Sequence, residues 1–285
     1  MNQPTVRQAL QTAQTLGLER LDAQLLLLHA LGKPDSDRAW LLAHDDDVLP
    51  QAGADMFRQL GLRRAAGEPL AYIAGYKEFF GLRLKVDARV LVPRPDTETL
   101  VSWSLDILQA PAMSAKPRVL DLGTGSGAIA IAVAHSLQAA GRPATVVAVD
   151  ASADALAVAQ ENANSLHADI QFLQSHWLEK VSGHFHLIAS NPPYIASADP
   201  HLAALVHEPL QALVAGSDGL NDIRQIIKQA PEHLHPGGWL LLEHGYDQSD
   251  RVRELLAGRG FQQVQSRLDL AGIARCSGGQ WLGAC

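Results

Sequence analysis

Over roughly the first seventy residues the apolar positions recur at helical spacing. Leu21, Leu25, Leu26, Leu28 and Leu31 make one apolar face, and the run from Leu25 to Leu28 predicts deep burial. Asp35-Ser36-Asp37 carries side chains suited to starting a helix, and a short one is expected through Trp40 and Leu42. Met56, Phe57, Leu60 and Leu62 predict a further helix that ends near Gly67-Glu68-Pro69. No strand pattern appears before Tyr72, so residues 1–72 read as a small helical domain. The pattern then changes. Tyr76, Phe79, Phe80, Leu82, Leu84 and Val86 alternate around Gly81, which predicts a β-hairpin linker over residues 73–95. Pro93-Arg94-Pro95 ends it stiffly, because each proline fixes its own φ and biases the preceding residue toward extended backbone.

From Asp96 onward, strand and helix patterns alternate as in a doubly wound α/β sheet, giving a domain over residues 96–285. Helix Leu100–Leu108 leads into strand Arg118–Leu122, a glycine loop and an alanine-rich helix from Ala128. Strand Ala144–Val149 meets Asp150, and helix Ala153–Asn164 follows. A short strand Ile170–Leu173 precedes the apolar run Phe185–Ala189, expected as a central buried strand. Helix Gly219–Ala230, strand Trp239–Glu243 and helix Asp247–Arg259 continue the alternation, and Phe261–Leu268 and Ile273–Leu282 read as closing strands. Repeats and low-complexity linkers are absent from the sequence.

Composition narrows the choice of function. With 285 residues, 47% of them apolar, the chain can bury a full α/β core beside a smaller domain, and 19% charged residues argues against disorder. No apolar run approaches the ~18 residues of a membrane span, and the polar start from Met1 to Gln14 does not resemble a signal peptide, so a cytoplasmic protein is expected. Thirty acidic against 23 basic residues leave a net charge of −7, with no basic surplus to neutralise a long nucleic acid. Stable binding of nucleic acid or membrane is therefore not expected. Cys276 and Cys285 lack ligand or redox spacing and read as incidental thiols. His184 and His186, like His233 and His235, have no carboxylate or cysteine partners at zinc-site spacing, so no metal is expected.

Candidate chemistry concentrates at strand ends. Asp121-Leu122-Gly123-Thr124-Gly125-Ser126-Gly127 joins a strand to a helix, and its glycines let backbone approach a ligand closely. The spacing is G-x-G-x-G, not the G-x-G-x-x-G of dinucleotide folds. Asp121 is an awkward neighbour for a pyrophosphate and a suitable one for a cation. Asp150 falls at the end of the next strand, about 20 residues past the loop, where an acid can accept hydrogen bonds from both ribose hydroxyls. Its alternative role is to cap the following helix. An adenosyl ligand with a cationic centre and no phosphate is S-adenosylmethionine, and the fold expected with it is the Rossmann-like class I methyltransferase sheet.

Asn191-Pro192-Pro193-Tyr194 follows the buried strand, and two prolines after an asparagine predict a rigid clamp. The Asn191 side-chain oxygen and the Pro192 carbonyl can each accept a hydrogen from one substrate NH2 group. Those bonds favour the more pyramidal nitrogen of the transition state and aim it at the sulfonium methyl. Tyr194 offers a flat face to a planar amide or base. The alternative reading of this segment is a proline-stiffened surface loop. Methylation of a ring carbon through a covalent adduct would call for a cysteine nucleophile, and this segment has none.

The chain resembles the HemK/PrmC family, which methylates the glutamine of the Gly-Gly-Gln motif in class-1 peptide chain release factors. The resemblance spans nearly the whole length. Val90-Leu91-Val92-Pro93-Arg94-Pro95-Asp96-Thr97-Glu98 is similar to a family signature, as are Leu120 to Gly127, Asn191 to Ile195, Glu208-Pro209 with Ala212-Leu213, Asp218-Gly219-Leu220, Leu242-Glu243-His244-Gly245 and Asp269-Leu270-Ala271-Gly272. It implies that Gly123 to Gly127, Asp150, Trp177 and Asn191 contact the cofactor, and that Asn191 to Tyr194 hold the glutamine. On this resemblance the helical domain and the hairpin recognise the shape of the release factor, and a monomer that binds its substrate one to one is expected. His176 stands where the family often has Asp, and the loop from Asp199 to Glu208 is short. A methyltransferase acting on the exocyclic amine of adenine uses the same clamp on a flipped base and is the alternative. Gly278-Gly279-Gln280 repeats the substrate motif inside the chain, in an expected strand, and reads as coincidence.

Overall fold

The computed structural model describes residues 3–111 and 113–283, which places Cys285 outside the described residues. The chain divides into two compact units, Met1–Tyr76 and Lys77–Cys285.

The first unit contains α1 (Val6–Thr15), α2 (Arg20–Ala30), α3 (Arg38–Ala43), α4 (Gln51–Ala65) and α5 (Leu70–Ala74). Helix α1 starts with a reciprocal cap: Gln8 N donates to Thr5 Oγ1 at 3.3 Å, and Thr5 N donates to Gln8 Oε1 at 2.9 Å. The core gathers Val6, Ala9, Leu26, Leu27, Leu28, Leu41, Phe57 and Leu60. The helical phase differs from the expected one at several positions. Leu27 and Leu41 are buried, whereas Leu21, Leu42, Met56 and Leu62 are exposed. Leu26 to Leu28 are all buried but Leu25 only half so, which leaves the deepest part of the leucine run one residue later than expected.

The second unit begins with a hairpin whose first strand, β1 (Tyr76–Phe79), starts at the junction and whose second is β2 (Leu82–Lys85). Then come α6 (Glu98–Leu108), β3 (Arg118–Leu122), α7 (Ala128–Ala139), β4 (Thr145–Asp150), α8 (Ala153–Ser165), β5 (Ile170–Gln174), β6 (Phe185–Ser190), α9 (Asn221–Gln229), β7 (Leu234–Glu243), α10 (Ser249–Arg259), β8 (Gln262–Leu268) and β9 (Ala274–Trp281). A seven-stranded sheet runs in the order β5-β4-β3-β6-β7-β9-β8. Its first five strands are parallel, and β9 enters antiparallel to both β7 and β8.

Residue alternation sorts the two sheet faces. Val119, Val146, Ala148, Leu187, Ala189, Trp239 and Leu241 join the core that includes α6 and α7. Leu120, Leu122, Val147, Val149, Ile188, Leu240 and Leu242 join the core that includes α9 and α10. The same alternation assigns Asp121 and Glu243 to the α6/α7 face. Parallel strands bring the C-terminal ends of β3, β4, β6 and β7 to one edge of the sheet, where ligands of such sheets bind. At that edge Ser190 Oγ donates to Leu122 O at 2.7 Å, tying β6 to β3.

Candidate active site

A cavity of about 320 Å³ opens at this edge, lined among others by Gly123, Thr124, Gly125, Ser126, Asp150, Trp177, Asn191 and Pro193. The backbone of the loop is drawn down onto β4: Gly123 N and Thr124 N donate to Val149 O at 2.8 and 2.9 Å. Gly125 N donates to Asp150 Oδ2 at 2.9 Å and Ser152 N to Asp150 Oδ1, also at 2.9 Å. Both oxygens keep further acceptor capacity toward the cavity. Burial, partly offset by these backbone bonds, raises the Asp150 pKa.

Asp121, Gly127, Pro192 and Tyr194 lie outside the lining of this cavity. Asp121 sits beneath the loop, with Oδ2 accepting from Thr124 Oγ1 at 2.6 Å and from Ala130 N at 3.2 Å. Its Oδ1 is buried without a hydrogen-bond partner among the described residues, and burial pushes the carboxyl up to about 7. Gly127 has φ +84°, and a Cβ there would lie 2.8 Å from Ile131 Cδ1 and 3.2 Å from Ala159 Cβ. It therefore lets α7 and α8 approach closely.

Trp177 covers the loop. Its backbone is left-handed at φ 47°, its indole lies where a Cβ on Gly123 would touch it at 3.3 Å, and Nε1 donates to Asp222 Oδ1 at 3.1 Å. Asp222 also lines the cavity and stands in the first turn of α9; composition and spacing give no warning of it. Asn162 on α8 was equally illegible. It accepts from Lys85 N at 2.7 Å and donates to Ser126 O at 2.9 Å, joining the hairpin to the glycine loop.

A second cavity of about 240 Å³ lies beyond Asn191, lined by Leu91, Arg94, Asn191, Tyr194, Ile195, Leu205, Ala212 and Leu213. Leu91, Arg94, Asn191 and Ala212 border both cavities. The clamp segment is pinned from behind. Ile195 N donates to Leu213 O at 2.9 Å, Ala215 N to Ile195 O at 3.0 Å, and Gln248 Nε2 to Tyr194 O at 3.0 Å. Gly219 permits the approach, since a Cβ there would come within 2.2 Å of Tyr194 O. Asn191 Nδ2 donates to Thr97 Oγ1 at 3.2 Å. The buried carboxylate of Glu208 accepts from Val92 N at 3.1 Å and pairs with Arg94, fixing the mouth of both cavities. Tyr194 stands against Glu243, and burial raises its phenol pKa.

Elsewhere, the rings of His184 and His186 pack against His235 with centroids 5.6 and 4.5 Å apart, at the start of β6 and far along the strands from the cavities. Among the described residues no His, Cys, Asp and Glu cluster suits a metal ion, and no helix is long and apolar enough to cross a membrane. Gly278 to Gln280 lie within β9, and the Gln280 amide is tied to Gly237 O at 2.9 Å and to Gln263 at 2.8 Å.

A seven-stranded sheet of this order, glycine loop, strand-end acid and clamp define a class I S-adenosylmethionine-dependent methyltransferase. The orphaned acid beneath the loop suits the cationic cofactor. Models of the methyltransferase small domain and the PrmC N-terminal domain match residues 104–257 and 5–75. The release factor glutamine methyltransferase of Bordetella pertussis is 50% identical over 92% of this chain and 95% of its own length. That of Pseudomonas aeruginosa is 48% identical over 92% of both chains. The chain belongs to the release factor glutamine methyltransferase family, the HemK/PrmC family. A solved methyltransferase from Pyrococcus furiosus shares the fold at 19% identity and TM-score 0.53, with 80% of this chain and 98% of that one covered.

Proposed function

We infer that the protein transfers the methyl group of S-adenosylmethionine to the side-chain amide nitrogen of the glutamine in the Gly-Gly-Gln motif of class-1 release factors. The observation that carries this reading is Asn191 standing between two cavities with its amide nitrogen engaged by Thr97. That arrangement leaves Oδ1 to accept from an incoming NH2 group. The relatives' identity of 50% and 48% over almost the entire chain supports the protein glutamine as the bearer of that group.

In this reading Gly123, Thr124, Gly125 and Ser126 cradle the cofactor, Asp150 receives its ribose hydroxyls, and Trp177 packs against the adenosyl group. Asp121 supplies negative charge beneath the loop, and Gly127 holds its shape. When bound, S-adenosylmethionine supplies an electrophilic sulfonium methyl. Asn191 Oδ1 and the Pro192 carbonyl accept the two amide hydrogens, while Pro193 and Tyr194 wall the planar group. The amide nitrogen held by Asn191 and Pro192 would take up that methyl group and release one proton to solvent. Orientation carries most of the acceleration because an amide lone pair is delocalised. The helical domain recognises the body of the release factor, in a one-to-one complex of monomers in the cytoplasm, without stable nucleic-acid binding.

The test incubates the chain with S-adenosylmethionine and unmodified release factor, with unmethylated duplex DNA in parallel, and maps products by mass spectrometry. One methyl on the Gly-Gly-Gln glutamine, lost in Asn191→Ala, is expected. Methylated adenine with untouched release factor would overturn the protein substrate.

A further inference from the structure

We propose that Arg94 anchors the protein substrate by donating to main-chain carbonyls of the loop that delivers the glutamine, and that Glu208 is the positioning residue that aims it. The proposal rests on the reading of Asn191 as the acceptor for a glutamine NH2 group that arrives through the second cavity.

Arg94, like Asn191, borders both cavities. Its side chain is 37% exposed, whereas that of Glu208 is 3% exposed. Arg94 Nη2 donates to Glu208 Oε1, and Val92 N donates to Glu208 Oε2 at 3.1 Å. One buried carboxylate therefore grips the residues on both sides of Pro93, whose own φ is fixed. The guanidinium is left little room to swing. It carries five N–H donors, and among the described residues it meets one acceptor, Glu208. Its other donors have no partner in the fold. A buried carboxylate is costly unless paired, so the two groups hold each other at the mouth.

The second cavity offers a carbonyl few other donors. Leu91, Ile195, Leu205, Ala212 and Leu213 give it apolar walls. The N–H groups of Ile195, Leu205, Ala212 and Leu213 already donate to Leu213 O, Leu202 O, Pro209 O and Leu210 O. Asn191 turns its Nδ2 to Thr97, and the Tyr194 hydroxyl turns to Glu243. Next to the lining, on either side of Glu208 in sequence, Val206 and Leu210 expose apolar side chains. Main chain that passes such surfaces loses water from its carbonyls, and a carbonyl left unpaired there weakens binding. Arg94 is the side chain with several N–H groups to spare, set in a planar fork that can serve more than one acceptor. Glycine carbonyls, with no side chain beside them, are open to such a donor.

A main-chain carbonyl does not change during methyl transfer. Arg94 thus holds ground state and transition state alike, and its loss belongs in KM rather than in kcat.

The experiment measures kcat and KM for unmodified full-length release factor, and the Kd of S-adenosylmethionine by calorimetry. The proteins compared are wild type, Arg94→Met, Arg94→Lys, Glu208→Gln and the double variant Arg94→Met/Glu208→Gln. Arg94→Met raises KM about 10–100-fold, while kcat and the cofactor Kd change less than about 3-fold. Arg94→Lys, which keeps charge and donors without the fork, recovers part of the loss. Glu208→Gln loosens the guanidinium and raises KM about 3–10-fold, yet adds nothing in the Arg94→Met background. The double variant also leaves no stranded carboxylate, so it separates lost anchoring from lost folding. A KM within about 3-fold of wild type in both Arg94→Met and the double variant overturns the proposal. So does a loss that falls on kcat or on cofactor affinity instead. A Glu208→Gln effect that persists undiminished in the double variant overturns the part given to Glu208. Wild type that leaves release-factor glutamine unmodified overturns the substrate reading, and this proposal with it. Methylation by wild type with an indifferent Arg94→Met overturns this proposal alone.

Discussion

A methyl group added at Gly123 and one added at Gly127 meet different obstacles. At Gly127 the left-handed backbone and the 2.8 Å approach to Ile131 work against any side chain. Gly127→Ala is expected to lower unfolding free energy by about 1–3 kcal/mol, measured by urea denaturation of the ligand-free protein. Unchanged stability would mean that α7 and α8 do not meet as described. Gly123 is left-handed too, at φ +70°, but there the near neighbour is the Trp177 indole, so Gly123→Ala should weaken S-adenosylmethionine binding, read by calorimetry, as well as lower stability; an unaltered Kd would count against that contact. Asp222→Ala removes the acceptor of Trp177 Nε1 and should also weaken cofactor binding; an unaltered Kd would exclude a role for that bond. The glycine loop and the acids Asp121 and Asp150 were legible because they mark the ends of apolar strands, where few residue types suit a tight turn. Asp222, Thr97 and Asn162 were not, since ordinary residues acquire meaning only from long-range neighbours.

At the level of elements, most β and α ends of the second unit could be read to within a residue or two, although β7 starts at Leu234, five residues before the expected Trp239. Most of the parallel strands are apolar runs that stop at a glycine, an acid or an asparagine, whereas β5 carries Gln171 and Gln174 and stops at Ser175. The helical unit offered less. In Leu25 to Leu28 no polar residue marks the helix phase, so the buried face could not be chosen between registers. Helix α1, by contrast, carries its start in Thr5 and Gln8, although only the structure pairs them. Thr5→Ala should cost about 1 kcal/mol in the stability of this unit, and an unaltered midpoint in thermal unfolding would show that the cap is dispensable.

For the whole molecule, three buried carboxyls at one sheet edge pull the pH dependence of stability in the same direction. Asp121 and Glu243 stand near 7, against ordinary values of 3.8 and 4.5, and Asp150 is also raised. Between those limits the folded chain binds more protons than the unfolded one, so these groups favour folding at low pH and lose that contribution as pH rises through 7. Asp218 works oppositely. Bonded to Arg224, it is held down at about 2, and its contribution disappears as pH falls through that value. Thermal unfolding of the ligand-free protein should show stability declining from pH 5 to pH 7.5, less steeply in Glu243→Gln; an identical slope would count against the buried carboxyl. The tripeptide Gly278-Gly279-Gln280 carries a different consequence. Its backbone is shared between two neighbouring strands, and both ends of its glutamine amide are spoken for. The protein thus contains the three letters its proposed substrate presents and keeps them illegible to itself. What is selected is therefore mobility as much as spelling: a target must be free to leave its own backbone's company before it can be written upon.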